Sequence, residues 1–215
     1  MSATTAAPAA RRTGNAGSLA SGLGALYLRL FGWRVEGRLP PGTKAVAIAA
    51  PHTSNWDLPF MLAVSFVLGV KPSWLGKREL FWGPFGWLMR RLGGIPVDRR
   101  TRTNLVQQVA ARFAAVDQLF LVIPPSATRS RATHWKSGFY HIARSAGVPI
   151  ICAFLDYRRK VGGVGPEIAP TGDVRADMDV IRAFYAGVSG KHPALTTSVH
   201  LLEEDAEPAH VASGA

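Results

Sequence analysis

The sequence predicts an α/β fold, with a single domain built on a central mixed, mostly parallel sheet flanked by helices. Apolar runs of strand length alternate with amphipathic segments of helix length. The strand-like runs are apolar at nearly every position, as expected of strands covered on both faces. The chain has 215 residues, enough for one sizeable hydrophobic core. We expect a folded domain at residues 18–193, with disordered ends at residues 1–17 and 194–215.

The first half of the chain is predicted to contain two helices separated by strands. Apolar residues at intervals of three and four give the first helix one face that could dock on the domain or on lipid. This face consists of Leu19, Leu23, Leu26, Tyr27, Leu30 and Phe31. A short strand is expected at residues 33–38 and a buried strand at residues 44–50, where Pro51 ends it. A second helix is expected at about residues 57–70.

The second half of the chain repeats the alternation. Its predicted elements are a helix at 103–116, a strand at 119–123, a helix at 138–146, a buried strand at 148–155, an edge strand at 161–168 and a helix at 173–188. Asp173 is available as the N-cap of the last helix. The segment after His192 has no clear periodicity, which is why a disordered tail is expected.

The formal net charge of +11 favours binding to polyanions, and both nucleic acid and anionic lipid qualify. The sequence contains no recognisable nucleic-acid motif. Several basic residues instead neighbour large apolar ones, a mixture that suits a lipid headgroup interface. The predicted membrane-contact residues are Trp82, Phe85, Trp87, Arg90 and Arg91. The alternative is that these aromatic residues form a core around the Gly-Pro turn at 83–84.

No apolar segment reaches the roughly 20 residues that a membrane-spanning helix needs. The best candidate, residues 58–70, is better interpreted as a buried helix, and no secretory signal is assigned. The single cysteine, Cys152, lies within an apolar run and is expected to be a buried small hydrophobe. No set of side chains has the spacing of a metal site, so no metal is expected. No other cofactor is expected either.

The sharpest local signal is a histidine followed five positions later by an aspartate, directly after a buried strand. These residues are His52 and Asp57. A neutral imidazole can accept a proton from an alcohol, and a carboxylate on its other nitrogen orients the ring and stabilises the imidazolium. The alternative interpretation is a histidine at the end of a strand followed by an aspartate that caps a helix.

Two further segments carry groups suited to an anionic ligand. Residues 92–100 join glycines to a strand-like step and end in two arginines, and an arginine on a rigid backbone binds phosphate well. Residues 124–130 place hydroxyl groups and Arg129 after the strand at 119–123. Each segment taken alone could equally be a turn or a surface loop.

Together these segments resemble the 1-acyl-sn-glycerol-3-phosphate acyltransferase family over about residues 26–193. The family's His-x-x-x-x-Asp motif matches His52 and Asp57, with neighbours typical of a small bacterial subgroup. Its Gly-Ile-Pro-Val-Asp-Arg block matches residues 94–99, its Glu-Gly-Thr-Arg-Ser block falls on residues 126–130, and its Val-Pro-Ile strand falls on residues 148–150. Four ordered blocks are far more specific than any one of them.

The resemblance implies an O-acyltransferase in which His52 is the general base toward the acceptor hydroxyl and Asp57 orients it. Arg99, Thr128 and Arg129 would hold the phosphate of a lysophospholipid-like acceptor. The remaining candidates for substrate binding are Ser126 and Lys136, in and near the third block. The implied donor is acyl-CoA or acyl carrier protein, used as a cosubstrate. The expected location is peripheral, on the cytoplasmic face of the cell membrane.

The chain departs from the family pattern where Ser126-Ala127 replaces Glu-Gly. The change removes a carboxylate and adds a methyl group where the backbone could need a positive φ. It could mean a different acceptor or weakened activity. A catalytically impaired lipid- or phosphate-binding member of the same fold is therefore the alternative function. A nucleic-acid binder is a third, suggested only by the net charge.

Overall fold

A computed structural model describes residues 15–97 and 102–205. The helices are α1 (Asn15–Leu30), α2 (Asp57–Val67), α3 (Gly83–Arg91), α4 (Arg102–Ala114), α5 (Gly138–Ala146) and α6 (Val174–Tyr185). The strands are β1 (Arg34–Glu36), β2 (Lys44–Ala50), β3 (Pro72–Lys77), β4 (Gly94–Val97), β5 (Leu119–Ile123), β6 (Ile150–Asp156) and β7 (Val161–Ile168). Short 3-10 turns lie at Arg78–Phe81, Pro193–Leu195 and Leu202–Asp205.

The strands form one sheet in the order β1-β7-β6-β2-β5-β3-β4. Neighbouring strands run parallel, except that β6 and β7 are antiparallel. The predicted α/β fold with a mixed, mostly parallel sheet is confirmed. In β2, Val46 and Ile48 belong to one buried cluster, whereas Ala45 and Ala47 belong to another on the opposite face. Burial on both faces explains why this strand is apolar throughout.

Helices cover both faces of the sheet. Apolar side chains of α4, α5 and α6 share a buried cluster with β2, β5 and β6, and α1 and α2 pack on the other side. The predicted N-cap of α6 is confirmed, because the Asp173 side chain accepts a hydrogen bond from the backbone N–H of Ala176 at 3.0 Å. Helix α2 ends at Val67, before the predicted residue 70, and Gly69 beyond it adopts a left-handed φ of 72°.

The prediction that residues 161–168 form an edge strand is wrong. Strand β1 pairs with β7 in parallel, with Arg34 opposite Val161 and Glu36 opposite Gly163, so β7 lies inside the sheet. A Cβ atom at Gly163 would lie 1.9 Å from the carbonyl oxygen of Glu36. The glycine therefore permits the close approach of β1, which provides the edge instead.

Most of the apolar face predicted for α1 points away from the domain. Leu19 is 69 % exposed and Leu30 is 75 % exposed. The helix docks through a different face, where Leu28 is buried and Gly24 approaches the backbone of α2 so closely that a Cβ atom would lie 2.8 Å from the oxygen of Ala63. Only the aromatic end of the predicted face reaches the domain. There, Tyr27 and Phe31 contact the ring of Phe60.

The expectation of a disordered tail from residue 194 is wrong for residues 194–205, which pack against the domain. Leu201 is fully buried, and the backbone N–H of Trp135 donates to the oxygen of His200 at 2.9 Å. Buried Glu204 pairs with Arg182 of α6. At the other end of the chain, residues 15–17 belong to α1 rather than to a disordered segment. Residues 1–14 and 206–215 lie outside the described residues.

The structure bears on two sequence expectations, the burial of Cys152 and the absence of a membrane-spanning helix among the described residues. Cys152 is fully buried in the core, and burial raises the pKa of its thiol to about 12, which confirms its interpretation as a small hydrophobe. In the described part of the chain, no helix combines the length and apolar character needed to cross a bilayer.

Candidate active site

The site begins where β2 ends at Ala50. His52 follows that strand, and Asp57 is the first residue of α2. The His52 Nδ1 and Asp57 Oδ2 atoms are 2.9 Å apart. The backbone N–H groups of Thr53 and Ser54 also donate to Asp57 Oδ2, at 3.0 and 3.1 Å. The carboxylate thus binds the imidazole and orders the turn before α2. No side-chain hydrogen bond caps the start of that helix, so the helix-capping interpretation is wrong.

A tyrosine that the sequence analysis missed completes the surroundings of Asp57. The hydroxyl of Tyr157 donates to Asp57 Oδ1 at 2.8 Å. Tyr157 directly follows β6, and β6 lies beside β2 in the sheet. Because the carboxyl ends of neighbouring parallel strands meet at one edge, the pairing of β2 with β6 was the signal needed to find it.

Burial and hydrogen bonding determine where the protons of this network lie. Burial raises the pKa of the Asp57 carboxyl, but hydrogen bonds from His52, Tyr157 and the backbone of Ser54 outweigh that effect and hold the pKa below its ordinary value. Burial, and then the bond to Asp57, raise the pKa of Tyr157. Asp57 is thus ionised and accepts only, so Nδ1 of His52 carries the ring proton. With the proton on Nδ1, the Nε2 lone pair of a neutral imidazole can accept another proton.

His52 lines a cleft of about 350 Å³ together with the loop after β5. The other lining residues are Pro124, Ala127, Thr128, Arg129 and Ser130. The first and third sequence segments therefore meet, because β2 and β5 are neighbouring parallel strands. His52 also borders a cavity of about 30 Å³, which is lined partly by residues 196, 197 and 199. The segment predicted to be disordered thus contributes a wall near the imidazole.

The loop that departs from the family pattern is held by its own hydroxyl groups. Ser126 is buried, and its Oγ donates to the backbone oxygen of Thr128 at 2.7 Å. Thr128 Oγ1 accepts from the N–H of Ser130 at 3.2 Å. Ala127 has a φ of 55°, a left-handed conformation that favours glycine. A positive φ at the position of the added methyl group, expected from the sequence as one possibility, is thus observed.

Of the other predicted substrate-binding residues, the structure describes Arg129 and Lys136 but not Arg99. Arg129 is exposed beside the cleft. The backbone N–H of Lys136 donates to the oxygen of Pro125 at 2.8 Å, which ties it to the loop, while its ammonium lies 3.3 Å from Nε2 of His134. Arg99 lies outside the described residues, so its position near the cleft stays a prediction.

The predicted membrane-contact residues form an exposed group on and beside α3. Trp82 is 87 % exposed and Trp87 is 65 % exposed, and Phe85 is exposed with them. The exposed Arg91 places its guanidinium carbon 5.7 Å from the centre of the Trp87 ring. The alternative that these aromatic residues form a core is therefore wrong. The core contact of this region is made by buried Phe81, against which Gly86 packs.

Comparison with known protein families shows to which family this chain belongs. The sequence model of the acyltransferase family matches residues 33–155. The chain belongs to the acyltransferase family. The matched residues include the His52–Asp57 pair and the loop at 124–130, and they end two positions before Tyr157.

Several relatives of this acyltransferase-family chain are named 1-acyl-sn-glycerol-3-phosphate acyltransferases, which confirms the resemblance. The relative from Haemophilus influenzae is 37 % identical over 147 residues, which are 64 % of this chain and 59 % of the relative. The relative from Escherichia coli is 33 % identical over 132 residues, which are 57 % of this chain and 52 % of the relative. The chain thus spans little more than half of these relatives.

A solved structure also shares the fold. The crystal structure of the 1-acyl-sn-glycerophosphate acyltransferase from Thermotoga maritima superposes with a TM-score of 0.56 and 19 % sequence identity. The superposition covers 79 % of this chain and 78 % of that protein. At this level of identity the likeness supports the acyltransferase fold, independently of the local sequence motifs.

Proposed function

We propose that this protein is an O-acyltransferase that moves a fatty acyl group from a thioester donor to the hydroxyl of a lysophospholipid-like acceptor. The observation that carries the proposal is the 2.9 Å contact between His52 Nδ1 and Asp57 Oδ2, on a ring that lines an open cleft. The names of the relatives support the same class of acceptor.

In the proposed reaction, the acceptor hydroxyl gives its proton to Nε2 of His52 while its oxygen attacks the thioester carbonyl. The ionised Asp57 stabilises the imidazolium that forms. The carbon–sulfur bond then breaks, and the leaving thiolate takes the proton back from the imidazolium. No acyl group becomes attached to the protein, and no cofactor is consumed. General base catalysis of this kind typically contributes about a hundredfold to ten-thousandfold in rate.

The acceptor's phosphate is proposed to bind at the cleft wall formed by the loop after β5. Arg129 offers a guanidinium whose geometry suits a phosphate, and Thr128 offers a hydroxyl on the same wall. We also assign Arg99 to phosphate binding, on the family resemblance alone. Lys136 would add positive charge near this loop. Ser126 would act indirectly, since its hydroxyl already orders the loop by binding the backbone of Thr128.

We further propose that the protein acts as a peripheral protein at the cytoplasmic face of the membrane. Support comes from the exposed group Trp82, Phe85 and Trp87, with Arg90 and Arg91 beside it. Aromatic rings next to arginines suit the headgroup boundary of a bilayer, where rings bury apolar area and guanidinium groups pair with phosphate. The donor is proposed to be acyl-CoA or acyl carrier protein.

An acyl-transfer assay with several lysolipids and an acyl thioester tests this proposal. We expect His52→Ala to lower kcat by a factor of about 100 to 10,000, because the base is lost. His141→Ala is the matched control. His141 is an exposed histidine 3.7 Å from the carboxylate of Glu203, and it is not among the residues that line the cleft. It should retain the activity of the unaltered protein. Equal activity in His52→Ala and the unaltered protein would overturn the mechanism.

A further inference from the structure

The Asp57 carboxylate is held from two directions. Three donors meet at Oδ2: Nδ1 of His52 and the backbone N–H groups of Thr53 and Ser54. All three come from the loop that Asp57 itself closes. The other oxygen, Oδ1, accepts from the Tyr157 hydroxyl at 2.8 Å, across a separation of 100 residues in the chain. Tyr157 is therefore the contact that ties this carboxylate to the β6–β7 connection.

Tyr157 is itself held in place on several sides. Its ring meets Trp33 edge to face, with the ring centres 4.9 Å apart at 88°, and meets Phe60 at 5.9 Å and 81°. Its backbone N–H donates to the oxygen of Ser189 at 2.9 Å. These contacts come from the β1 region, from α2 and from the segment after α6. The hydroxyl is thereby presented to Asp57 by a packed ring, with little freedom to turn away.

We propose that Tyr157 is a positioning residue for acyl transfer. It holds the Asp57 carboxylate in the orientation that aligns the His52 ring and stabilises its imidazolium form. The inference rests on the function proposed above. A carboxylate anchored at Oδ2 alone can rotate about its Cβ–Cγ bond, and that rotation would move the acceptor of the imidazole proton. With Oδ1 anchored as well, both oxygens stay in place while His52 gains and loses its proton.

Charged and titratable groups from several elements face this unit, and Arg129 lines the same cleft as His52. Asp57 faces His52 and Tyr157. Tyr157 faces Asp57, the Tyr27 side chain of α1 and the ammonium of Lys191, whose Nζ lies 5.7 Å from the ring centre. Removing the Tyr157 hydroxyl leaves the aspartate charge less shared and therefore more available to the imidazolium. The Tyr157 bond is one of those that lower the Asp57 pKa, so without it the carboxylate attracts the imidazole proton more strongly.

The first test compares Tyr157→Phe with the unaltered protein in the acyl-transfer assay across pH. We expect kcat to fall about 5- to 50-fold with KM for both substrates within twofold, and the acid limb of the rate profile to move up by about 0.5 pH unit. Tyr140→Phe is the matched control, because it removes another tyrosine–aspartate bond, the 2.7 Å contact from Tyr140 to Asp177. It should leave the profile unmoved. An unchanged kcat and profile in Tyr157→Phe overturn the inference.

A second readout needs no substrate and separates this inference from the proposed function. The ring nitrogens of His52 are followed by ¹⁵N NMR during a pH titration of the substrate-free protein. We expect their titration to move up by about 0.5 pH unit in Tyr157→Phe and not in Tyr140→Phe. This shift in a protein that shows no acyl transfer would defeat the proposed function and leave the coupling of Tyr157 to His52 standing. No shift in an active protein defeats the coupling.

A third measurement covers the case in which Tyr157→Phe fails to fold. The ζ-carbon of each tyrosine in the unaltered protein is followed by ¹³C NMR as the pH is raised. Ordinary tyrosines lose their proton near pH 10, and a Tyr157 bonded to the aspartate in a buried site keeps its proton well beyond that. A Tyr157 that titrates at the ordinary pH carries no such bond, and the inference is then wrong.

Discussion

At the scale of single residues, the site depends on how one carboxylate is shared. Asp57 closes the turn before α2, binds the imidazole of His52 and accepts the Tyr157 hydroxyl. Together these bonds favour its charged form and more than offset the cost of burial. The same carboxylate therefore stabilises the local fold and prepares the proposed base. Loss of Asp57 would remove both contributions together.

The strained residue of the loop after β5 leads to a prediction about stability. We expect Ala127→Gly to raise the free energy of unfolding by about 0.5 to 1 kcal/mol, since a left-handed φ costs a non-glycine residue about 1 to 2 kcal/mol and the more flexible unfolded chain returns part of that gain. Urea denaturation measures the change. In Ala111→Gly, an exposed position within α4, the same substitution should cost about 1 kcal/mol. Equal losses in both variants would contradict the prediction.

At the scale of elements, α3 and α1 present apolar side chains to solvent. Helix α3 packs through Gly86 against Phe81 and leaves Phe85 and Trp87 outside, with Trp82 just before the helix. Helix α1 packs through Gly24 and Leu28. In both helices a glycine permits a close approach to its neighbour, and the exposed large apolar residues point outward. Exposed apolar groups of this kind commonly mark a surface that contacts another protein or a membrane.

The exposed group on α3 predicts binding to lipid vesicles. We expect the double variant Trp82→Ala/Trp87→Ala to bind anionic vesicles at least about tenfold more weakly, because each indole would bury apolar area worth about 1.5 kcal/mol or more. Vesicle sedimentation measures the affinity. The control is Val180→Ala/Leu195→Ala, which trims exposed apolar residues elsewhere on the molecule. Equal weakening by the two pairs would show that α3 is not the contact.

At the scale of the whole molecule, distant parts of the chain converge on the carboxyl ends of the central strands. Residues after β2, β5 and β6 supply the imidazole, the cleft wall and the tyrosine. The segment after α6 then crosses this edge, where the N–H of His192 donates to Thr53 Oγ1 at 3.1 Å and the N–H of Ala132 donates to Thr197 Oγ1 at 3.0 Å. The candidate site is thus bordered by both halves of the chain.

The packing of the last described segment predicts a contrast between neighbouring leucines. We expect Leu201→Ala to lower the free energy of unfolding by about 3 kcal/mol, because Leu201 is fully buried and its loss leaves a cavity. Leu202→Ala should change it by less than about 0.5 kcal/mol, since Leu202 is largely exposed. Chemical denaturation of both variants is the measurement. A small effect at Leu201 would mean that the segment adds little to the domain.

The sequence by itself determined the local elements and the reacting pair. Strand β2 and helix α5 begin and end where the apolar pattern places them, because burial on both faces and helical periodicity are properties of consecutive residues. His52 and Asp57 were found for the same reason, since one short turn brings them together. Strand β3 and helix α3 were not predicted, and the large apolar residues of α3 lie on its exposed side, where they mark no buried face.

Only the tertiary structure decided which distant residues meet. Tyr157 reaches Asp57 because β6 pairs with β2, and β7 lies inside the sheet because β1 adds beside it. The segment at 194–205 packs through scattered hydrogen bonds and a single buried leucine, Leu201, so it has no periodic signal to read. Strand order and the partners of isolated polar groups depend on contacts between residues far apart in the chain. No pattern of neighbours encodes them directly.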